Sequence, residues 1–332
     1  MGARLDILGQ TFGNLTVVEH LDGKVISDEY RKGSFWRCSC SCGGELIASA
    51  GQLRRSLRNC TMCRTNNNVK ELVGKLFDSK GYGKYKVIKY EGWREVTIQF
   101  IETGFTTVSD LKEVRLGKVK DLMLPSVAGV GYIGVGDYRC RYYTSDDKLK
   151  NTPEYEVWNG MLKRCYNKEW RDNGNHSTYD DVTVCKEWHC FQTFAKWYND
   201  NKPDYSAFAL DKDLKIIGNR EYSPSACTFV PERVNSLFTG SRGDRDLPRG
   251  VHFCNNKKVY IVQLHRGELT KNGNPKQSYL GAYTDKDLAI SIYQKEKIKL
   301  VNEVAEEYKS VLHPDVYFNL KNKVLEFVGH VK

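Results

Sequence analysis

Two cysteine clusters set the tightest limit on what this chain can fold into. Cys38-Ser39-Cys40-Ser41-Cys42-Gly43 and Cys60-Thr61-Met62-Cys63 stand about twenty residues apart, and the second is a C-x-x-C. Thiolates so spaced suit a tetrahedral zinc ion with a ribbon-like hairpin between the two ligand pairs. The expected ligands are Cys40, Cys42, Cys60 and Cys63. Strand alternation turns Cys38, Cys40 and Cys42 the same way and only two are needed, so Cys38 is the spare; the C-x-C spacing leaves the choice between Cys38 and Cys40 open. Four thiolates leave no open position for water, which makes such a zinc structural. Buried free thiols are the alternative reading of the same residues.

The next stretch repeats the first without its cysteines. Val73-Gly74-Lys75-Leu76-Phe77 and Tyr82 to Tyr90 parallel Leu8-Gly9-Gln10-Thr11-Phe12 and Gly13 to His20, and Leu111 to Lys120 takes the place of Gly51 to Asn59. Both copies read as small antiparallel β units with a basic final loop, and the alternation of Glu95 to Phe100 supports this. The second copy is expected to replace the metal with an aromatic core from Tyr82, Tyr85, Tyr90, Trp93, Phe100 and Phe105.

The chain carries 51 lysines and arginines against 41 acids, a formal charge of +10. That surplus fits a polyanionic partner. It is concentrated: nine basic residues against two glutamates from Arg31 to Lys75, and six against one from Arg249 to Lys276. Two separated basic modules suggest an extended footprint on double-stranded DNA with a steep salt dependence, where the alternative is two solvated faces. Nothing approaches the length of a membrane span, and the first ten residues lack a signal-peptide core, so a cytoplasmic protein with reduced thiols is expected. The run Pro125 to Gly136 lacks the GK[ST] ending of a phosphate loop and reads as a tight linker, leaving no sign of a small-molecule cofactor.

Thr152-Pro153 opens a helix over Glu154 to Tyr166, and a second helix runs from about Glu187 to Asn199, each with an aromatic stripe that reads as core. Cys165, Cys185, Cys190 and Cys227 lack a C-x-x-C pair and read as buried thiols. Beyond them, Leu210 to Leu214 alternates as a strand, Gly218-Asn219 marks a turn, Cys227 to Val230 forms a second strand and Pro231 opens a helix. In this ββα unit Asp211 and Asn235 could share one cleft and a hard cation, which takes oxygen ligands.

Leu210-Asp211-Lys212-Asp213, Gly218-Asn219, Tyr222-Ser223-Pro224, Cys227, Phe229-Val230-Pro231 and Asn235 resemble the core of the HNH endonuclease superfamily, in particular a phage subgroup. The cysteine region is similar to the zinc-ribbon segment that opens such proteins. The resemblance implies Mg²⁺- or Mn²⁺-dependent hydrolysis of a DNA phosphodiester, with Asp211 and Asn235 as ligands, in a protein acting in the cytoplasm of a bacterial host. The usual histidine base has no counterpart beside Asp211; Lys212, a poor base unless its pKa is depressed, and His176 or His189 folding back are the candidates. The unit could also be structural, with Asp211 and Asp213 solvated and Asn235 capping backbone.

After the polar linker at 240–248, the chain reads as three strands and a helix: 250–253, 259–264, 279–283 and from Asp285 onward. Arg249-Gly250-Val251, Tyr260 to Leu264, Leu280-Gly281-Ala282-Tyr283, Ala289 and Tyr293 resemble an APETALA2-type DNA-binding domain. The resemblance implies a three-stranded sheet in the major groove, with Arg249, Lys258, Gln263, His265 and Arg266 facing DNA and Lys257 beside them. Arg54, Arg55 and Arg58 are the corresponding contacts of the first module. A short helix from Pro314 to Phe327 is expected on this domain.

The expected fold is modular α+β: a zinc-ribbon-like β module at 1–68, its repeat at 69–125, a glycine-rich linker at 126–152, an HNH-like ββα-metal core with buttressing helices at 153–239, the linker at 240–248, and a C-terminal three-stranded sheet plus helix at 249–332. The expected function is sequence-specific DNA binding with HNH-type cleavage or nicking, as in homing endonucleases. The alternatives are a catalytically inactive DNA-binding regulator or inhibitor, and an adaptor whose basic patches meet an acidic protein.

Overall fold

A computed structural model of the chain describes residues 6–21, 34–173, 179, 181–238, 247–248, 250–269 and 275–324. It divides into two compact units, Met1–Leu124 and Pro125–Lys332, of mixed α and β structure with several small antiparallel sheets.

The first unit contains the repeat in three dimensions. Strands β1 (Thr11–Phe12), β2 (Leu15–Leu21), β3 (Phe35–Cys40) and β4 (Glu45–Ser49) form one sheet in sequential order and lead into α1 (Ala50–Arg55). Helix α2 (Thr61–Leu72) connects to β5 (Leu76–Ser79), β6 (Gly83–Gly92), β7 (Glu95–Phe100), β8 (Thr106–Ser109) and α3 (Leu111–Leu116), a second sheet of the same order. The registers coincide in detail. Val17 pairs with Cys38 as Val87 pairs with Ile98, and each sheet then shifts register, before Glu19 and before Lys89. Each sheet ends on a helix N-cap: Ser49 accepts from the backbone N–H of Gln52 at 3.3 Å, and Asp110 from that of Glu113 at 2.8 Å. Losing such a cap costs about 1 kcal/mol. Asp110→Ala is therefore expected to lower the stability of this unit by about that amount, measurable by urea unfolding.

The cores of the two copies differ as expected. Cys40 in the first occupies the register position of Phe100 in the second, which packs against Tyr85 at 5.3 Å and Phe105 at 6.2 Å between ring centres. Trp93 is a correction: it is 61 % exposed, with the Arg94 guanidinium 4.4 Å from its ring, because it sits in the β6–β7 turn and not on the inward face. Helix α2 links the copies, capped by Cys60 and burying Leu72 in the second core.

In the second unit, residues 126–152 are not a simple linker. Val127, Val130, Ile133 and Tyr138 pack against a core built on Trp158, Trp188, Phe191 and Phe194. A side chain at Gly131 would lie 2.3 Å from Leu162 and 3.0 Å from Trp158, so glycine serves close approach here rather than mobility. A hairpin follows, β9 (Arg141–Tyr143) with β10 (Leu149–Asn151), and then α4 (Pro153–Tyr166) and α5 (Lys168–Asn173). Instead of one helix from Glu187, the chain makes strand β11 (Thr183–Val184), a 3₁₀ turn over Lys186–His189 and α6 (Phe191–Asn201).

The ββα unit is shifted from its expected bounds. Strand β12 is Phe208–Asp211, antiparallel to β14 (Thr228–Pro231), which runs into α7 (Glu232–Ser236). The intervening β13 (Glu221–Tyr222) pairs in parallel with β11 and not with its sequence neighbour. Strands β15 (Val251–Cys254), β16 (Val259–Leu269) and β17 (Pro275–Tyr283) form an antiparallel sheet covered by α8 (Lys286–Glu307), and α9 (Pro314–Asn322) packs on α8. Val251, Val262 and Leu264 face that core with Ala289, Tyr293 and Val301. Among the described residues, no helix is long and apolar enough to cross a membrane.

Candidate functional site

The strongest constellation is the four-cysteine cluster. The buried alternation of β3 carries Trp36, Cys38 and Cys40 inward. A turn then brings Cys42 back beside Cys40, closed by Gly43 N–H donating to the Cys40 carbonyl at 2.8 Å. Cys60 is the N-cap of α2, accepting from Cys63 N–H at 3.4 Å, so both cysteines of the C-x-x-C sit at a helix N-terminus, where negative charge is favoured.

The four sulfurs of Cys40, Cys42, Cys60 and Cys63 lie within 4.8 Å of one another. Cys40 and Cys63 are 3.7 Å apart, Cys42 and Cys60 3.3 Å. Disulfides need about 2.05 Å, whereas sulfurs on a zinc ion at about 2.3 Å stand roughly 3.8 Å apart in a tetrahedron. The donor set and spacing therefore fit a metal ion such as zinc. Gly44 leaves room for it: a Cβ there would meet Cys60 Sγ at 3.0 Å. Backbone hydrogen bonds from Cys42 and Cys60 lower the Cys40 thiol to about 6, while the crowding sulfurs, Cys42 first, push Cys63 up. Four thiolates in this space repel one another unless a cation sits among them. Cys38, buried beside the cluster with its thiol raised by desolvation, points to the Trp36 carbonyl instead.

No other group of three or more Cys, His, Asp or Glu side chains among the described residues is close enough to hold a metal. Cys165, Cys185 and Cys227 are buried, and burial raises their thiols to about 11, 11 and 12.

Asp211 ends β12. Its Oδ1 accepts from the backbone N–H groups of Asp213 at 2.8 Å and Leu214 at 2.6 Å, which folds the following loop around the carboxyl. The residue is half-buried but its carboxyl lies deep, and desolvation pushes its pKa to about 6 against those two bonds. Asn235 is half-buried on α7. Lys212 is buried and committed: Nζ donates to Asp213 Oδ1 at 2.5 Å and the Asn219 carbonyl at 3.1 Å. His189 Nε2 lies 3.2 Å from the Val184 carbonyl and 3.4 Å from Tyr166 Oη. His176 lies outside the described residues.

Two asparagines hold the loop that follows Asp211. Asn219 Nδ2 donates to the Lys212 and Glu221 carbonyls, and Asn319 on α9 donates to the Leu214 and Lys215 carbonyls at 3.0 Å each. Asn219 follows from the Gly-Asn turn signal; Asn319, over a hundred residues away, has no sequence signal.

Of the expected DNA contacts, Arg54 and Arg55 are exposed in the last turn of α1, while Arg58 folds back to donate to the Leu53, Leu57 and Arg54 carbonyls. Lys257 and Lys258 are exposed in the β15–β16 turn, with Lys258 at φ 57°. Gln263 is half-buried opposite Tyr279, on the strand face away from Val262 and Leu264. His265 accepts from Gly267 N–H at 3.2 Å, and burial, with Lys297 nearby, lowers its pKa. Arg266 donates to Ser278 Oγ at 3.4 Å. Arg249 lies outside the described residues.

Comparison of the chain with models of protein families, with curated proteins and with solved structures finds no match.

Proposed function

We propose that the protein binds duplex DNA, that a structural zinc ion on Cys40, Cys42, Cys60 and Cys63 holds its first module together, and that residues 208–236 form an HNH-like, metal-dependent endonuclease or nickase centre. The observation that carries the reading is the antiparallel β12–β14 pair running directly into α7, with Asp211 at the strand end and Asn235 on the helix. That is the order of a ββα-metal unit. Its raised, deeply set carboxyl adds support, since strongly perturbed carboxylates concentrate at functional sites. A bound Mg²⁺ or Mn²⁺ would neutralise charge developing at the phosphodiester. In this reading Asp211 and Asn235 are its protein ligands, the exposed Arg54, Arg55, Lys257 and Lys258 meet phosphates, and Gln263 reads a base edge.

A second reading, a DNA-binding regulator without catalysis, is favoured by one observation. The Lys212 ammonium beside Asp211 is already engaged by Asp213 and the Asn219 carbonyl.

The experiment is incubation of the protein with supercoiled plasmid and with DNA flanking its own gene, with Mg²⁺, Mn²⁺ or chelator, followed by denaturing electrophoresis and gel shift. The expected result is metal-dependent nicking that Asp211→Asn abolishes while DNA affinity stays within about twofold. Nicking that persists in the variant overturns the centre; a gel shift without nicks selects the regulator.

A further inference from the structure

The β9–β10 hairpin is the part of the second unit with the least reason to exist alone. A two-stranded hairpin has marginal stability in water and gains it by packing, yet every residue of β9 is exposed, as are Leu149 and Lys150 of β10. Tyr143 is 71 % exposed, Leu149 49 % and Tyr142 45 %. Register places Tyr143 opposite Leu149 and Arg141 opposite Asn151 on one face, and Tyr142 opposite Lys150 on the other. Each face therefore combines a large ring with a cation.

The hairpin is rigidly mounted. The Gln192 side chain on α6 holds both backbone groups of Tyr138 at 3.0 and 2.9 Å, and the Thr152 hydroxyl donates to the Arg139 carbonyl at 3.0 Å. At the tip, Asp147 adopts φ 53° and Thr144 closes the turn through Asp146 and Lys148. Lys148 neutralises Asp146 at 2.6 Å. Arg139, Arg141 and Lys150 have no carboxylate partner among the described residues.

We infer that this hairpin is a β-ribbon that enters the major groove of duplex DNA, with Tyr143 and Leu149 of one face against base edges and Arg141 and Lys150 on the flanking phosphates. The inference rests on the DNA-binding reading above and adds a contact element to it. The three ladder pairs extend roughly 10 Å, close to the roughly 8.5 Å depth of a groove about 12 Å wide that admits a two-stranded ribbon. The exposed cations Arg139, Arg141 and Lys150 around these side chains are the charge complement of a phosphate backbone.

The test uses the full chain, fluorescence anisotropy on a random 30-base-pair duplex across a salt series, and dimethyl sulfate footprinting, which methylates guanine N7 from the major groove. Arg141→Ala/Lys150→Ala is expected to weaken binding at least tenfold and reduce the slope of log K against log salt by about 2. Tyr143→Ser/Leu149→Ser is expected to weaken binding by a similar factor with the slope unchanged, and to lose N7 protection. All four side chains are exposed, so circular dichroism should match the wild type. If the wild type binds and both variants keep its affinity, slope and footprint, the ribbon is overturned while DNA binding stands. If the wild type shows no salt-dependent binding, both readings fall.

Discussion

Stripping metal with a chelator, or replacing Cys60 with serine, is expected to unfold the first β module while the second keeps its structure. The first sheet buries a small set: Ile7, Leu15, Val17, Trp36, Cys38, Cys40, Ala48, Leu53 and Cys60. Three of these nine are cysteines, and two of the three belong to the cluster. A core this small supplies only about 3–5 kcal/mol, against apparent zinc-binding free energies of about 10–16 kcal/mol in small metal-folded domains. The repeat provides an internal control, since Phe100 stands where Cys40 does and packs against the rings of Tyr85 and Phe105. Amide hydrogen exchange should show protection lost at Val17 and Cys38 and retained at Val87 and Ile98, and metal analysis should find one zinc per chain. A protein that carries no zinc, and whose first module exchanges as slowly with chelator as without, would overturn the assignment. Because ligation needs thiolates, zinc affinity should also fall on acidification.

Asp211→Asn is expected to stabilise the protein at neutral pH in the absence of divalent ions. Burial raises this carboxyl from 3.8 to about 6 in the folded chain. The folded state then binds the proton more tightly than the unfolded one, so this group's contribution to stability is greatest below pH 3.8 and is lost as pH rises through about 6. At pH 7.5 the charged group costs about 3 kcal/mol, from roughly two pKa units at about 1.4 kcal/mol each. Asparagine stays neutral and keeps an Oδ1 to accept from Asp213 and Leu214, so its advantage should be near zero at pH 4 and close to that figure at pH 7.5. Urea unfolding with chelator at both pH values reads it directly. Adding Mg²⁺ or Mn²⁺ should then stabilise the wild type and not the variant. A variant less stable than the wild type at pH 7.5 would make Asp211 an ordinary loop cap and remove the metal reading. A residue whose removal stabilises the fold is the signature expected where function opposes stability.

The sequence carried the cysteine cluster, the repeat and the helix opened by Pro153 because these signals are local or periodic. C-x-x-C spacing and inward alternation along β3 each act over a few residues. The repeat was legible because both copies keep their glycines and alternation, and the structure extends the likeness to the shift in register. What tertiary structure decided lies where partners are distant. Gly131 looked like linker because its reason, contact with Leu162 and Trp158, is thirty residues away. Trp93 looked like core because residue type does not say which side of a turn faces inward. The hairpin at 141–151 hid behind a glycine-rich run, although Tyr-Tyr and Leu-Lys around Ser-Asp-Asp carry a strand–turn–strand pattern. At Asp211 the sequence supplied the residue and the ββα order, but the depth of its carboxyl comes from the loop at 212–215, held shut by Asn319 over a hundred positions later. Ligand identity is written in local spacing; the field around a ligand is set by whatever the finished fold packs against it.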